Sequence, residues 1–422
     1  MLLQKIVLIR VDTFIYPITL YLSMEDILYR SNPWWTEDFR APGIKREDYL
    51  SKLYNLKNTK DVVLITGLRR VGKTTLMYQL IELLIKNNID PKRILYVSLD
   101  NIALREYSIL DIIDEYRRIH SLKHKDFVYL FLDEVHTKKD YELQLKNLYD
   151  MGSSKIYASG SASLDIIMRS PHLTGRQRII RIYPLNFKEF LRFTGNEISP
   201  ADSHLYPSLA EDYAKIGGLP EYVKTRDLNY IQSLLDTIIY RDIAGAYGIR
   251  NVEKLVDTLA FIAQSVGSPI SLRKISRCVG ISKDEVSKII RLFREANLIY
   301  TIEREGKISE RKISPKKLYL ADTGFFTVLV DKINFGAIVE NLVYLKLRPC
   351  GEVRYYRSSG CEIDFVRGKN AWESKYKDSL TDNDVNKLKN LKGYYSKTII
   401  TKTKEERIDS VELIPLWKFL LL

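Results

Sequence analysis

Cysteine is scarce: Cys278, Cys350 and Cys361 are the only three in 422 residues, and no two form a C-x-x-C pair. That excludes a disulfide-stapled scaffold and a thiolate zinc site, and it fits a reducing, cytoplasmic compartment. No apolar run reaches the ~20 residues a membrane helix requires. The most apolar stretch is the start, MLLQKIVLIRVDTFIYPITLYLS, where Lys5, Arg10 and Asp12 break the run and no small-residue cleavage site follows. Residues 1–23 therefore read as an upstream extension or an accessory strand, with Met24 opening a more ordinary polar N-terminus. No membrane partner is expected. Fixed-period repeats and low-complexity tracts are also missing. Glutamine is sparse beside abundant Ile, Lys, Glu and Tyr, a usage compatible with an archaeal or other thermophilic source.

What remains is globular in composition, 45% hydrophobic and 28% charged, and long enough for about two to four domains. Lys and Arg number 66 against 53 acidic residues, a net charge of +13. The surplus is uneven. Residues 1–250 hold 35 basic and 31 acidic side chains, while residues 251–422 hold 31 and 22. The second segment carries most of the positive field, so a polyanion is the partner to test.

From residue 61 the pattern is strand, glycine turn, helix: DVVLIT, GLRRVGKTT, LMYQLIELLIKN. Further apolar runs follow at RILYVSL (93–99), FVYLFL (127–132), KIYASGS (155–161) and RIIRIYPL (178–185). Uninterrupted apolar strands alternating with helices predict a parallel sheet covered on both faces, an α/β fold. Residues 24–60 read as an arm. Residues 186–250 read as helical, broken at Gly217-Gly218-Leu219-Pro220. Residues 252–300 show three short helical patterns, the third opening on Ser282 with Glu285 at capping-box spacing. LIYTIER and KKLYLAD then read as a hairpin, and residues 336–422 as a helix followed by the alternating strands VRYYR, EIDFV and AWESKY.

Gly67-Leu68-Arg69-Arg70-Val71-Gly72-Lys73-Thr74 fits G-x-x-x-x-G-K-[ST] in the required strand–helix context. The glycines let backbone N–H groups of the loop, through Thr75, turn inward around phosphate oxygens. Lys73 can reach the β- and γ-phosphates and the Thr74 hydroxyl can ligate Mg²⁺, with the following helix directing its positive end at the same anion. ATP and Mg²⁺ are the expected cofactors. FVYLFLDEVH supplies the acids: Asp133 for the metal, Glu134 for polarising the attacking water. His136 reads as an ordinary polar residue. Ser159 or Ser161, ending the next strand, is a candidate γ-phosphate sensor, with a plain serine-rich turn as the alternative. Arg176 is a candidate for transition-state charge in its own or a neighbour's site, with a surface arginine as the alternative.

GLRRVGKTTL, FLDEVH, GSAS, GRQRIIRIYPLNFKEF, GGLPEYV and YRDIA occur in that order. Together they resemble the archaeal and bacterial AAA-type P-loop ATPases of mobile-element character that end in a restriction-endonuclease-like domain of unknown function. The resemblance covers about residues 30–400. It implies an ATPase core with a helical lid, a winged helix and a nuclease-like end. The expected segments are an arm over 1–60, the ATPase core with lid over 61–250, a winged helix over 251–322 and an α+β restriction-endonuclease-like domain over 323–422.

In the winged-helix candidate, Val286, Ile289, Ile290 and Phe293 form the expected buried stripe. Lys288, Arg291 and Arg294 lie toward the opposite face, and a basic wing follows. DNA is the expected partner, with a protein–protein role for the same module as the alternative. Asp364 in EIDFV and Glu373-x-Lys375 in AWESKY match the D-x(n)-E-x-K pattern of restriction-type nucleases. Carboxylates are oxygen ligands suited to Mg²⁺, and strand alternation puts Glu373 and Lys375 on one face. Glu340, on the preceding helix, completes the expected metal set, with Glu362 a rival. Lys375 is expected to orient water or neutralise phosphate charge. The expected function is an ATP-hydrolysing ATPase coupled to a DNA-binding end that either cleaves DNA or serves as a nucleotide-switched scaffold. Remodelling of a protein partner and self-association are left open.

Overall fold

The structure, a computed structural model, describes residues 6–11, 14–19, 23–160, 172–196, 198–332, 334–358 and 360–422. The chain divides into two compact units, Met1–Thr66 with Lys73–Arg181, and Gly67–Gly72 with Ile182–Leu422. The division falls at residue 181, so the helices that follow the sheet belong to the second unit. Among the described residues no helix is long and apolar enough to cross a membrane.

The first unit opens with an antiparallel hairpin of β1 (Ile6–Val11) and β2 (Phe14–Thr19). Its body is a five-stranded, wholly parallel sheet in the order β4-β5-β6-β3-β7, with β3 Val62–Thr66, β4 Ile94–Ser98, β5 Val128–Asp133, β6 Ser154–Ser159 and β7 Gln177–Arg181. Every residue of β3 and β5 is buried, as uninterrupted apolar runs require. Helices α1 (Lys73–Lys86), α2 (Ile109–Ile119) and α3 (Tyr141–Met151) connect the strands. The arm covers the free edge of β4. The Asn32 side chain bonds both the Tyr96 N–H (2.6 Å) and the Tyr96 carbonyl (2.9 Å), while the buried Trp34 and Trp35 indoles donate to the Ile94 carbonyl. An otherwise exposed edge is thereby satisfied.

In the second unit a series of helices ends in a π-helical turn, Thr237–Gly245, and leads to α4 (Glu253–Gln264), α5 (Leu272–Val279) and α6 (Lys283–Glu295). Ser282 caps α6 reciprocally with Glu285, as the spacing predicts. Val286, Ile289 and Phe293 are buried as expected. Leu292 joins them in place of Ile290, which is only half-buried. The antiparallel hairpin of β8 (Ile299–Ile302) and β9 (Lys317–Leu320) carries a short helix, α7 (Ile308–Ile313), where the sequence reads as a basic turn.

A six-stranded sheet follows in the order β10-β11-β12-β13-β15-β14: β10 Arg354–Ser358, β11 Cys361–Arg367, β12 Asn370–Lys375, β13 Ser396–Thr401, β14 Glu406–Ile408 and β15 Val411–Pro415. Helix α8 (Phe335–Leu347) precedes the sheet and packs on β12, and α9 (Asp382–Lys389) makes the crossover from β12 to its parallel neighbour β13. Ile363, Val366, Ala371, Leu388, Ile399 and Leu413 form its apolar core.

Candidate nucleotide and carboxylate sites

β3 ends at Thr66, and Gly67–Gly72 turns the chain directly into α1. Gly67 has φ +146°, and a Cβ there would stand 2.2 Å from the Ile182 carbonyl oxygen; Gly72 has φ +97°. Only glycine takes the first of these conformations without strain. Two helical segments of the second unit hold the loop's arginines. Arg69 makes a two-pronged ion pair with Asp242 of the π-helical turn, Nε to Oδ2 at 2.9 Å and Nη2 to Oδ1 at 3.2 Å. The Arg70 guanidinium lies 5.3 Å from the centre of the Tyr230 ring. Lys73 and Thr74 then open α1, and Lys73 is buried.

Asp133 closes β5 and is buried. Its Oδ2 accepts from Thr74 Oγ1 at 2.6 Å and from the Tyr96 hydroxyl at 3.0 Å, and its Oδ1 accepts from Ser159 Oγ. Tyr96 comes from β4 and Ser159 from β6, the strands flanking β5, so sheet order delivers both hydroxyls. Burial, reinforced by the Asp133 charge, pushes the Tyr96 hydroxyl far above its usual pKa and keeps it a donor. The Thr74 hydroxyl and the Asp133 carboxylate meet at one point, a hard-oxygen donor set that fits Mg²⁺.

Glu134 follows with φ +54°, left-handed for a residue with a side chain. That conformation costs about 1–2 kcal/mol, and such strain concentrates at functional sites. Its Oε2 lies 3.3 Å from His136 Nδ1, and its N–H donates to Ser159 Oγ at 3.3 Å.

Gly67 through Thr75 therefore form one continuous turn into α1, and Asp133 and Glu134 stand at the carboxyl end of β5. Ser161 lies outside the described residues. Ser159 is bound to the Asp133 carboxylate.

Arg176 requires a correction. It precedes β7, and its carbonyl accepts the N–H of Val62, the first residue of β3, at 2.9 Å. The five residues of β3 then separate it from the phosphate loop, about 16 Å at the rise of a strand. Arg176 is at the wrong end of the sheet to act on its own chain's loop, and it faces Asp150 at 3.7 Å instead. Arg181, at the far end of β7, is in register with Thr66. Tyr96 carries no motif; its hydroxyl's hydrogen bond to Asp133 identifies it.

In the second unit, β11 and β12 pair at Phe365–Trp372, Val366–Ala371 and Arg367–Asn370, and then the ladder stops. Carboxylates satisfy the freed backbone groups: Glu373 Oε2 accepts the Asp364 N–H at 3.1 Å, and Asp364 Oδ2 accepts the Ser374 N–H at 3.0 Å. Glu373 Oε1 accepts from Lys375 Nζ at 2.7 Å and from Lys387 Nζ, on α9, at 2.5 Å. Lys317, at the start of β9, places its Nζ 3.1 Å from Glu340 Oε1, 3.1 Å from Asp364 Oδ1 and 3.2 Å from Glu362 Oε1. Tyr319 adds a hydroxyl to Glu340 Oε1 at 2.8 Å.

Burial opposes the charges of Lys317, Asp364, Glu340 and Glu373, and their neighbours decide the outcome. Burial alone would lower Lys317, but Asp364, Glu340 and Glu362 outweigh it and hold the ammonium above the ordinary lysine range. Burial would raise Asp364, yet Lys317 and the Ser374 N–H hold it below the usual carboxylate value. Burial and the Asp364 charge push Glu340 up to about 8, and the same two causes raise Glu373. Within the expected metal set, Glu340 and Asp364 meet at Lys317, while Glu373 accepts from Lys375, Lys387 and the Asp364 N–H. Among the described residues, no three His, Cys or carboxylate side chains have the spacing to hold a metal ion.

Comparison with known families matches residues 59–191 to an AAA domain. The matched segment, residues 59–191, is similar to AAA domains and contains the phosphate loop, Tyr96, Asp133, Glu134, Ser159 and Arg181. Residues 208–334 match a domain of unknown function, which includes Asp242 and Lys317, while Glu340, Asp364, Glu373 and Lys375 lie beyond both matches.

An uncharacterized protein of Haemophilus influenzae is 28% identical over 397 residues, covering 88% of this chain and 97% of its own. One of Methanocaldococcus jannaschii is 25% identical over 351 residues, covering 74% of each chain. Among solved structures, the replication initiator DnaA bound to AMPPCP and single-stranded DNA is 19% identical with a TM-score of 0.28, over 61% of this chain and 90% of that one. AMPPCP-bound DnaA from Aquifex aeolicus is 17% identical with a TM-score of 0.29, over 74% and 98%. Likeness at those scores carries no weight for this chain's function.

Proposed function

We propose that this chain is a cytoplasmic, Mg²⁺-dependent ATP hydrolase whose cycle is coupled to DNA held by a winged helix, ahead of a restriction-endonuclease-like domain. The observation that carries the ATPase half is the buried Asp133 carboxylate gripped by Thr74, Tyr96 and Ser159, in a chain whose phosphate loop leads straight to Thr74. Backbone N–H groups of the loop and Lys73 bind the β- and γ-phosphates. Thr74 and Asp133 hold Mg²⁺, which supplies positive charge against the phosphate oxygens when bound. Glu134 orients the attacking water and accepts its proton.

The DNA half rests on three helices followed by a hairpin, α4 to β9, and on the groove between them. The groove encloses about 880 Å³, and Arg273, Arg291, Arg294, Lys312 and Lys316 line it without a single acidic side chain. Arg291 and Arg294 are the recognition-helix residues expected from sequence; Lys288 lies outside this lining. Phosphate contacts by about four of these cations release counterions and give an affinity that falls about a hundredfold between 50 and 200 mM salt. Fluorescence anisotropy with labelled duplex DNA reads this directly. Arg291→Glu combined with Arg294→Glu is expected to flatten the log–log salt slope by about two while leaving basal ATP turnover unchanged. Binding that ignores salt, or that the double reversal leaves untouched, removes the DNA reading. The reading of the C-terminal sheet as restriction-endonuclease-like is supported by Asp364 and Glu373 side by side on β11 and β12, with Lys375 on the face of Glu373.

A further inference from the structure

A restriction-type site gathers a helix Glu and two strand carboxylates around a divalent ion, which needs their oxygens to converge at about 2.0–2.1 Å. In this chain a cation already stands among such carboxylates, and the protein supplies it. Lys317 is fully buried, and its ammonium reaches Glu340, Asp364 and Glu362 at 3.1, 3.1 and 3.2 Å. The ammonium donates hydrogen bonds to Glu340 Oε1 and Asp364 Oδ1, and Glu362 Oε1 stands at ion-pair distance. Asp364's second oxygen is taken by the Ser374 N–H, and both oxygens of Glu373 are taken by Lys375, Lys387 and the Asp364 N–H. Gly267 closes the remaining side of Glu340: with φ +83°, it leaves room for Glu340 Oε2 at a point only 2.5 Å from where a Cβ would stand.

We propose that Lys317 is the resident cation of the carboxylate cluster, standing where a nuclease would hold its metal ion, so that the wild-type domain takes no divalent metal there. A buried charge set of this kind is costly unless balanced and fully hydrogen-bonded. Lys317 supplies a positive charge and two hydrogen bonds to these carboxylates from a strand outside the six-stranded sheet. The C-terminal domain then serves the ATPase as a binding and structural module, and cuts nothing. This inference rests on the restriction-endonuclease-like reading of the sheet.

Mn²⁺ titration of the nucleotide-free full chain, followed by electron paramagnetic resonance and by thermal melting, tests it. Wild type is expected to take up no Mn²⁺ that Asp364→Asn removes. Lys317→Met is expected to gain one Mn²⁺ at least tenfold more tightly than wild type, to melt higher when the ion is present, and to lose both responses when Asp364→Asn is added. Should the apolar variant fold only with Mn²⁺, that dependence reads the same replacement of one cation by another, and Lys317→Gln serves as a second test. Stoichiometric, Asp364-dependent Mn²⁺ on wild type overturns the inference and leaves the restriction-type reading standing. Folded Lys317 variants indifferent to Mn²⁺ overturn both.

Discussion

Replacing Glu134 by Gln lowers ATP turnover by about two to three orders of magnitude, or about 3–4 kcal/mol of barrier, and leaves ATP affinity within about threefold. Gln keeps the shape of Glu and can still accept a hydrogen bond, but it cannot take a proton from water. In the proposed function the loop and Lys73 grip the phosphates, so ground-state binding is expected to be spared. The neighbouring acid is unaffected, because Asp133 is held by Thr74, Tyr96 and Ser159. The left-handed backbone at Glu134 exists in either variant, since Gln tolerates it no worse. Phosphate release at saturating ATP, beside a titration with a fluorescent nucleotide, separates the two quantities. Turnover within threefold of wild type would mean that the base lies elsewhere.

Gly67→Ala is expected to weaken ATP binding at least a hundredfold and to lower the melting temperature by about 5–10 °C. The added methyl carbon would stand 2.2 Å from the Ile182 carbonyl oxygen, at a φ of +146°. The obstacle is backbone, so no side chain can swing away; the loop must move, and the N–H groups proposed to cradle phosphate move with it. Gly72→Ala is the control, since a Cβ there meets nothing within 4 Å. It carries conformational strain without collision and should melt closer to wild type. Equal melting shifts in the two variants would remove the steric explanation.

Some of this was legible in residues alone, because the physics is local. Strands buried on both faces are unbroken apolar runs, as in VVLIT and VYLFLD. A phosphate loop announces itself by glycines and Lys73 at fixed spacing. The Ser282–Glu285 capping box spans four residues of chain. Other features depend on pairing across long sequence separations. Nothing local says that β6 separates β5 from β3, that Tyr96 turns its hydroxyl to Asp133, or that Arg176 and Arg181 stand at opposite ends of one strand.

Lys317 is the instructive case. It sits beside Lys316 in a basic run that reads as a solvated wing, and Lys316 is indeed 41% exposed. Yet Lys317 shares a strand face with Tyr319, and both are fully buried. The period-two pattern held that signal, hidden by the expectation that lysine faces water. The charge surplus after residue 250 is correspondingly reinterpreted: Lys317, Lys375 and Lys387 neutralise carboxylates within the domain. Arg273, Arg291 and Arg294 instead line the groove between the helices and the hairpin, where the proposed function places a polyanion.

Phosphate release from ATP by the full chain, measured with and without Mg²⁺ in wild type and Lys73→Ala, tests the central claim most directly. The account predicts steady, Mg²⁺-dependent release by wild type and none above background by Lys73→Ala. Release that persists at the wild-type rate in Lys73→Ala, or that is absent from wild type at saturating ATP and Mg²⁺, would contradict it.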